Sequence, residues 1–233
     1  DIVPNLNGLV GAGRVGWADA ATIIPWQHYM AYGDKSILEQ QRDSMKAWVD
    51  YVISQSPGYL WNTGWHYGDW LFYSVNNDNA GNSAVTYTPL VQQCFFANSA
   101  TIMSKAAEVL GKGEDATYYA DVARKVKEAF CENYLTPAGM LVSSTQTAYV
   151  LALNFDMLPE NMRAKAAAHL AANVEKYGHI TTGFLGTPYI CHVLTKFGYN
   201  DLAYKLLLRE QYPGWLYPVT MGATTIWERW NSM

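Results

Sequence analysis

Near its C-terminal end the chain reads Gly222-Ala223-Thr224-Thr225-Ile226-Trp227-Glu228-Arg229-Trp230-Asn231, one carboxylate set between two indoles and preceded by paired hydroxyls. These side chains suit a carbohydrate. An indole face packs on the C–H face of a sugar ring, and a carboxylate drawn partly out of water by flanking indoles has its pKa pushed toward the range where general acid or base catalysis is effective. Glu228 is therefore the candidate catalytic residue, with Trp227 beside it as a candidate for sugar contact. The same letters also fit a plainer role, a glutamate in the first turn of a helix, capped by Thr224 or Thr225 and paired with Arg229. The residue types alone leave both readings open.

Two further Trp/Asp clusters repeat the theme, Gly16-Trp17-Ala18-Asp19 and Gly68-Asp69-Trp70-Leu71. In each, the carboxylate can meet sugar hydroxyls and the indole a sugar ring. Alternatively, Asp69 is a turn residue that bonds its own backbone and Asp19 a first-turn acid favoured by the helix dipole. His66, between Trp65 and Tyr67, can donate to a hydroxyl or serve as a hydrogen-bonded packing residue. Trp26, Trp48 and Trp61 fall on or beside core stripes and read as volume fillers. Other chemistries lack their usual groups: there is no G-x-S-x-G, no P-loop and no dinucleotide fingerprint. The five histidines show no H-E-x-x-H spacing. Cys94, Cys131 and Cys191 form no C-x-x-C pair and read as small buried hydrophobes. Neither a metal nor a cofactor is expected.

These groups must be positioned by helices. Apolar residues recur at helical spacing from Trp17 to Met30, ending at Gly33-Asp34, and again from Ser36 through Leu38, Met45, Trp48, Val49, Val52 and Ile53 to Pro57-Gly58. Thr88-Pro89 opens a third stretch that runs to Gly111, and its partner carries Tyr119, Val122, Ala123, Val126, Ala129 and Phe130. Helices are predicted around 145–154 and 160–177, then around 185–197 and 199–210. Turns at Gly33, Gly111, Asp156 and Gly198 thus mark four αα-hairpins. Short β pieces are expected at Met140-Leu141-Val142 and at Leu216 to Val219.

Connections inside the hairpins are short and polar, whereas those between hairpins are long and unusual. Residues 59–73 hold seven aromatics in fifteen positions. Such a stretch is too aromatic for a disordered linker, and loops of that length in compact domains are usually functional. Gly13 to Asp19, His179 to Thr187 and Pro213 to Glu228 share its flavour. Each joins an outgoing second helix to the next first helix, so the pattern predicts one rim on which Trp17, Trp70 and Glu228 meet the same small sugar.

Bulk properties narrow the partners. Half the residues are apolar, enough for a large core, and the net charge is −4 with 16 basic residues and no basic cluster. Nucleic acid and anionic membranes are therefore not expected partners. No run of 18 apolar residues and no signal-like N-terminus occurs, which predicts a soluble chain and leaves its compartment open among cytoplasm, periplasm and exterior. The opening Asp1-Ile2-Val3-Pro4-Asn5 reads as the interior of a longer sequence.

Taken in order, five segments resemble the catalytic domain of the bacterial α-L-rhamnosidases of glycoside hydrolase family 78, an (α/α)6 barrel. They are Gly16 to Ala21 with Pro25-Trp26, Met45 to Tyr51, His66 to Leu71, Thr181 to Thr187, and most specifically Gly222 to Trp230. The resemblance covers essentially the whole chain. It implies an all-α fold with about four of six hairpins, eight helices and few or no strands. It also implies inverting hydrolysis of terminal α-L-rhamnosyl bonds in a rhamnose-containing glycoside or polysaccharide, without a cofactor. The family's general base maps onto Glu228. Trp17 and Trp70 become walls of a pocket for a methyl-bearing deoxy sugar, and Asp19, His66 and Asp69 supporting polar groups.

The sequence also departs from that family. Its general acid lies in a D-x-x-x-R-x-E-R-x-G-W-x-G-D-A segment, which residues 1–16 do not contain, and a histidine expected some twenty positions beyond the base falls past Met233. Residues 1–233 are thus expected to be a partial toroid, inactive alone, whose unclosed flanks associate with the missing segment of the same enzyme or with each other. A carbohydrate-binding or scaffold module without catalysis, and an α/α-barrel glycosidase for another sugar, are the alternatives.

Overall fold

The computed structural model describes residues 13–73 and 86–231. The opening residues Asp1 to Asn5, and Met233, lie outside them. The described residues contain nine α-helices and no named strand. The all-α expectation holds. The chain divides into two compact units, Asp1–His66 with Pro89–Asn133 and Tyr67–Thr88 with Tyr134–Met233.

The first unit holds two hairpins. Helix α1 (Ala20–Tyr32) stops at Gly33, whose left-handed φ of 70° lets its N–H return to the Tyr29 carbonyl, a turn that a side chain would strain. Helix α2 (Ser36–Ser54) follows, burying Leu38, Met45, Trp48, Val49 and Val52 along one stripe, as its periodicity predicts. Helix α3 (Thr88–Val109) is buried on nearly every side over Leu90 to Ala97, while α4 (Gly113–Tyr134) buries Tyr119, Val122, Ala123, Val126 and Phe130. Hydrogen bonds tie these helices together. Ser104 donates to the Ala116 carbonyl at 2.8 Å, and Arg42 of α2 reaches Asp115 of α4 at 2.5 Å.

The second unit is built on α5 (Gln146–Asn154), every residue of which from Gln146 to Leu153 is buried. Thr145 caps it by accepting from the Ala148 N–H at 3.2 Å. Helices α6 (Glu160–Tyr177) and α7 (Ile190–Lys196) pack on it, and α8 (Asn200–Leu207) packs on α7 and α6, with left-handed turns at Asp156 and Gly198. Two expectations are corrected. Leu216 to Val219 is not a strand, because Tyr217–Thr220 forms one helical turn, α9, with Pro218 in its first positions, where a missing N–H costs nothing. Met140 to Val142 yields a single bridge, Leu135 to Leu141, rather than a strand pair. Helix α7 also starts later than the predicted 185, since the preceding residues are held in a turn described below.

No helix among the described residues is long and apolar enough to cross a membrane. No group of three or more His, Cys, Asp or Glu residues placed to hold a metal ion occurs among them either. Cys94 is buried, and Cys131 and Cys191 are half-buried, all three as free thiols.

Candidate active site

In the second unit the chain leaves α9 at Gly222 and runs as turns and bends to Asn231. This segment is not a helix, so the capped-helix reading of Glu228 does not hold. Its indoles fix the segment. Trp230 donates from Nε1 to the Thr182 carbonyl at 3.3 Å and stands edge-on to Trp215, with ring centroids 5.6 Å apart. Trp227 meets Tyr217 edge-on at 6.3 Å. Both arrangements are favoured aromatic geometries.

Between this segment and residues 183–188 lies a cleft of about 180 Å³, walled by Leu71, Phe184, Trp215, Trp227 and Trp230, with Glu228 and Arg229 on its lining. A second, wider hollow of about 470 Å³ lies against Thr224, Thr225, Ile226 and Pro218. Glu228 is solvent-exposed rather than enclosed by its neighbouring indoles, which corrects the expectation of a desolvated carboxylate. No hydrogen bond or ion pair engages its side chain among the described residues. Trp70 is half-buried and packs edge-on against Tyr67 at 5.5 Å, and the adjacent Leu71 forms part of the cleft wall.

Asp69 has the opposite setting. It is 1 % exposed, and its two oxygens are filled from inside the protein. Oδ2 accepts from Thr147 Oγ1 and from the Gly183 N–H at 2.8 Å, and Oδ1 from the N–H groups of Leu185 at 3.0 Å and Gly186 at 3.3 Å. Burial pushes its pKa up, while these four donors pull the other way. Gln146 braces the same region from α5, donating to the His179 carbonyl and accepting from the Thr181 N–H.

The first unit has a parallel arrangement at residues 13–19. Asp19, fully buried, accepts from the Gly16 N–H at 2.8 Å, Trp48 Nε1 at 3.0 Å and Ser99 Oγ at 2.6 Å. Desolvation raises its pKa against these donors. His66 accepts from the Val15 N–H at Nδ1 and donates from Nε2 to the Thr63 carbonyl, which uses both ring nitrogens inside the protein. Burial, above all, lowers its pKa to about 4, so the ring is neutral at pH 7. Trp17 sits half-buried in the turn between Val15 and Asp19. Trp17, Asp19 and His66 thus belong to one unit, and Asp69, Trp70, Trp227 and Glu228 to the other.

Several residues that organise these turns were not singled out by the sequence. Ser99 and Gln93 inside α3, and Gln146 and Thr147 in the first turn of α5, are ordinary polar residues whose partners lie far along the chain. The only local hint is a glutamine or hydroxyl where a helical stripe calls for an apolar residue. Trp48, read as a volume filler, is also the indole donor to Asp19.

Paired helices whose connecting segments carry a free carboxylate, indoles and threonines define a helical-hairpin domain of the glycosidase type. The chain belongs to the family of the bacterial α-L-rhamnosidase six-hairpin glycosidase domain, whose model matches residues 1–233. It is 43% identical over 237 residues to an α-L-rhamnosidase of Formosa agariphila, covering 99% of this chain and 25% of that protein. An α-L-rhamnosidase of Streptomyces avermitilis is 39% identical over 234 residues, covering 100% of this chain and 22% of that protein. Among solved structures, the Streptomyces avermitilis α-L-rhamnosidase complexed with L-rhamnose superposes with a TM-score of 0.89 at 38% identity, over 99% of this chain and 21% of that one. The native α-L-rhamnosidase of Aspergillus terreus gives 0.92 at 33% identity, over 99% of this chain and 27% of that one. The chain therefore spans about a quarter of the length of these relatives.

Proposed function

We propose that this chain is the part of an inverting α-L-rhamnosidase that carries the general base, Glu228, and part of the sugar pocket. The observation that supports this reading is the setting of Glu228, an exposed carboxylate with no internal partner among the described residues, on a cleft otherwise walled by indoles, Phe184 and Leu71. A cleft of about 180 Å³ is on the scale of one monosaccharide, and apolar walls suit the methyl group of a deoxy sugar. Trp227 flanks the sugar in the second unit, and Trp70 stands next to the wall residue Leu71. In the first unit, Trp17 is by itself a candidate for contact with a sugar, with Asp19 and His66 holding the turn it sits in.

The chemistry follows from the geometry of inversion. Glu228 takes a proton from a water as that water attacks the anomeric carbon, and the glycosidic oxygen leaves with a proton from a second carboxylic acid. In inverting enzymes the two carboxyl groups stand roughly 6.5–9.5 Å apart to admit the water. That acid comes from outside residues 1–233, which makes the isolated chain inactive. The exposed apolar side chains Ile24, Met30 and Tyr32 of α1 and Tyr204 of α8 are where the rest of the enzyme, or a second copy, covers this piece.

The test is Glu228→Gln in the complete enzyme, assayed on an aryl α-L-rhamnoside. A loss of roughly 10²–10⁴-fold in kcat is expected, with L-rhamnose binding retained. Near-normal turnover would make Glu228 a structural or binding residue and return the chain to the reading of a carbohydrate-binding module. Proton NMR of the first-formed sugar decides the stereochemistry: the β anomer fits inversion, and the α anomer contradicts it.

A further inference from the structure

The fully buried carboxylate of Asp69 is hydrogen-bonded to the turn that walls the cleft on which Glu228 stands. This first link is to the turn at 181–187. Three of the N–H groups of that turn, those of Gly183, Leu185 and Gly186, point into the Asp69 carboxylate, and Thr147 Oγ1 from α5 supplies the fourth donor. The backbones on either side are zipped together as well. Phe184 N–H donates to the Trp70 carbonyl at 2.9 Å, and Tyr73 N–H to the Thr181 carbonyl at 3.1 Å.

Packing leaves the turn no room to shift. A Cβ on Gly183 would stand 2.2 Å from the Trp70 carbonyl oxygen and 2.6 Å from that of Asp69, and one on Gly186 would stand 2.4 Å from Thr147 Oγ1. At Gly183 backbone lies against backbone, and at Gly186 the turn lies against the Thr147 and Thr182 side chains. Leu71, which contributes to the cleft wall, is held in the left-handed region at φ 59°, a conformation that a branched-chain residue keeps only when its surroundings enforce it.

The second link leads from the turn to the rim. The Thr182 carbonyl accepts the Trp230 indole N–H, and the Thr182 and Thr187 hydroxyls bond each other at 2.7 Å. Gly183, Phe184 and Thr187 then form the wall that faces Trp227, Glu228 and Trp230 across the cleft. Asp69 itself has no surface to offer a ligand.

We propose that Asp69 is a positioning residue for the reaction: it fixes the 181–187 turn, and the turn in turn sets the Trp230 indole and the wall opposite Glu228. The assignment rests on Glu228 being the general base. It replaces direct contact between the Asp69 carboxylate and sugar hydroxyls with action through the turn. Misplacing a reacting group by about 1 Å is enough to cost roughly 10²-fold in rate, and loosening the turn acts on that scale.

The experiment is a double-mutant cycle in the complete enzyme with an aryl α-L-rhamnoside, using Asp69→Asn and Glu228→Gln. Asp69→Asn keeps the shape but turns an amide NH₂ toward N–H donors. It is expected to lower kcat about 100-fold while KM changes by less than about a tenth of that factor. In the Glu228→Gln background the same substitution is expected to cost less than about threefold, because the group it positions is already gone. A general loss of folded protein would instead reduce activity by the same factor in both backgrounds. Additive losses therefore overturn the proposal, as does a loss confined to KM.

Two gentler variants cover the case in which Asp69→Asn does not fold. Thr147→Val removes one of the four donors, and Trp230→Phe removes the indole N–H that meets Thr182. Each is expected to lower kcat about five- to tenfold in the wild-type background and much less with Glu228→Gln, as partial disruptions of the same positioning. Unchanged kcat in both would refute the route through the turn. Near-normal turnover of Glu228→Gln alone would remove the base assignment and this proposal with it, whereas an inactive Glu228→Gln with additive partners would remove the positioning role alone.

Discussion

Asp69 and Glu228 stand in the same unit of the protein, each beside a tryptophan, and their surroundings could hardly differ more. Asp69 is sealed and takes four donors, so its charge is spent on holding a turn. Glu228 is exposed on a cleft lined by indoles and takes none among the described residues, so its charge is available to a ligand. A Trp/Asp or Trp/Glu pair in sequence is therefore not one kind of object. The environment sorts such pairs into those that build a rim and those that act on it, and Asp19, with three internal donors, falls with Asp69.

Stability measurements can break this division. The largest effect is expected from Asp69→Ala, which strands up to four buried donors at about 1–3 kcal/mol each, or about 4 kcal/mol after partial relaxation. A loss below about 1 kcal/mol in denaturant unfolding would mean that the carboxylate does not hold the turn. Gly183→Ala comes next, at about 3 kcal/mol, because its methyl would collide with backbone that has no space to yield.

A pH dependence sharpens the comparison in the first unit. The ring of His66 has its pKa lowered to about 4, against about 6.5 in an unfolded chain. Its contribution to stability is therefore complete above pH 6.5 and is lost as the pH falls from there toward 4. His66→Gln, which can still accept from Val15, is expected to remove that component from a plot of Tm against pH. Asp19 and Asp69, whose pKa values are raised, contribute with the opposite sign, so the difference between variant and wild type isolates the histidine. Identical profiles would place the ring elsewhere. The smallest effect is expected from Glu228→Ala, within about 0.5 kcal/mol in unfolding experiments, as for an exposed side chain without partners. A larger loss would show that Glu228 holds the fold after all.

Much of the helical framework was legible because it is written locally. The four turns read from Gly33, Gly111, Asp156 and Gly198 all adopt positive φ in the structure, and the helices predicted at 145–154 and 160–177 match Gln146–Asn154 and Glu160–Tyr177 closely. The functional segments were legible as unusual composition, and the carboxylates as candidates. Their division of labour was not. The donors that fill Asp69 come from residues 78 to 117 positions away, and periodicity carries no information over such distances. Leu216 to Val219 misled for a related reason, since its β-branched and aromatic letters suit a strand while Pro218 and the neighbouring backbone close a helical turn.

One residue inside the first unit shows how narrow such a requirement can be. The buried Gln93 side chain receives the Trp61 N–H on its oxygen and gives its NH₂ to the carbonyls of Tyr59 and Val126. Glutamate would aim a charged oxygen at two carbonyls, lysine would bring no acceptor, and leucine would answer none of the three. The aromatic-rich stretch leaving α2 is thus anchored by a plug that only a primary amide can form. Among its exposed members, Trp65 meets the Arg14 guanidinium, which lies 6.0 Å from its ring centroid.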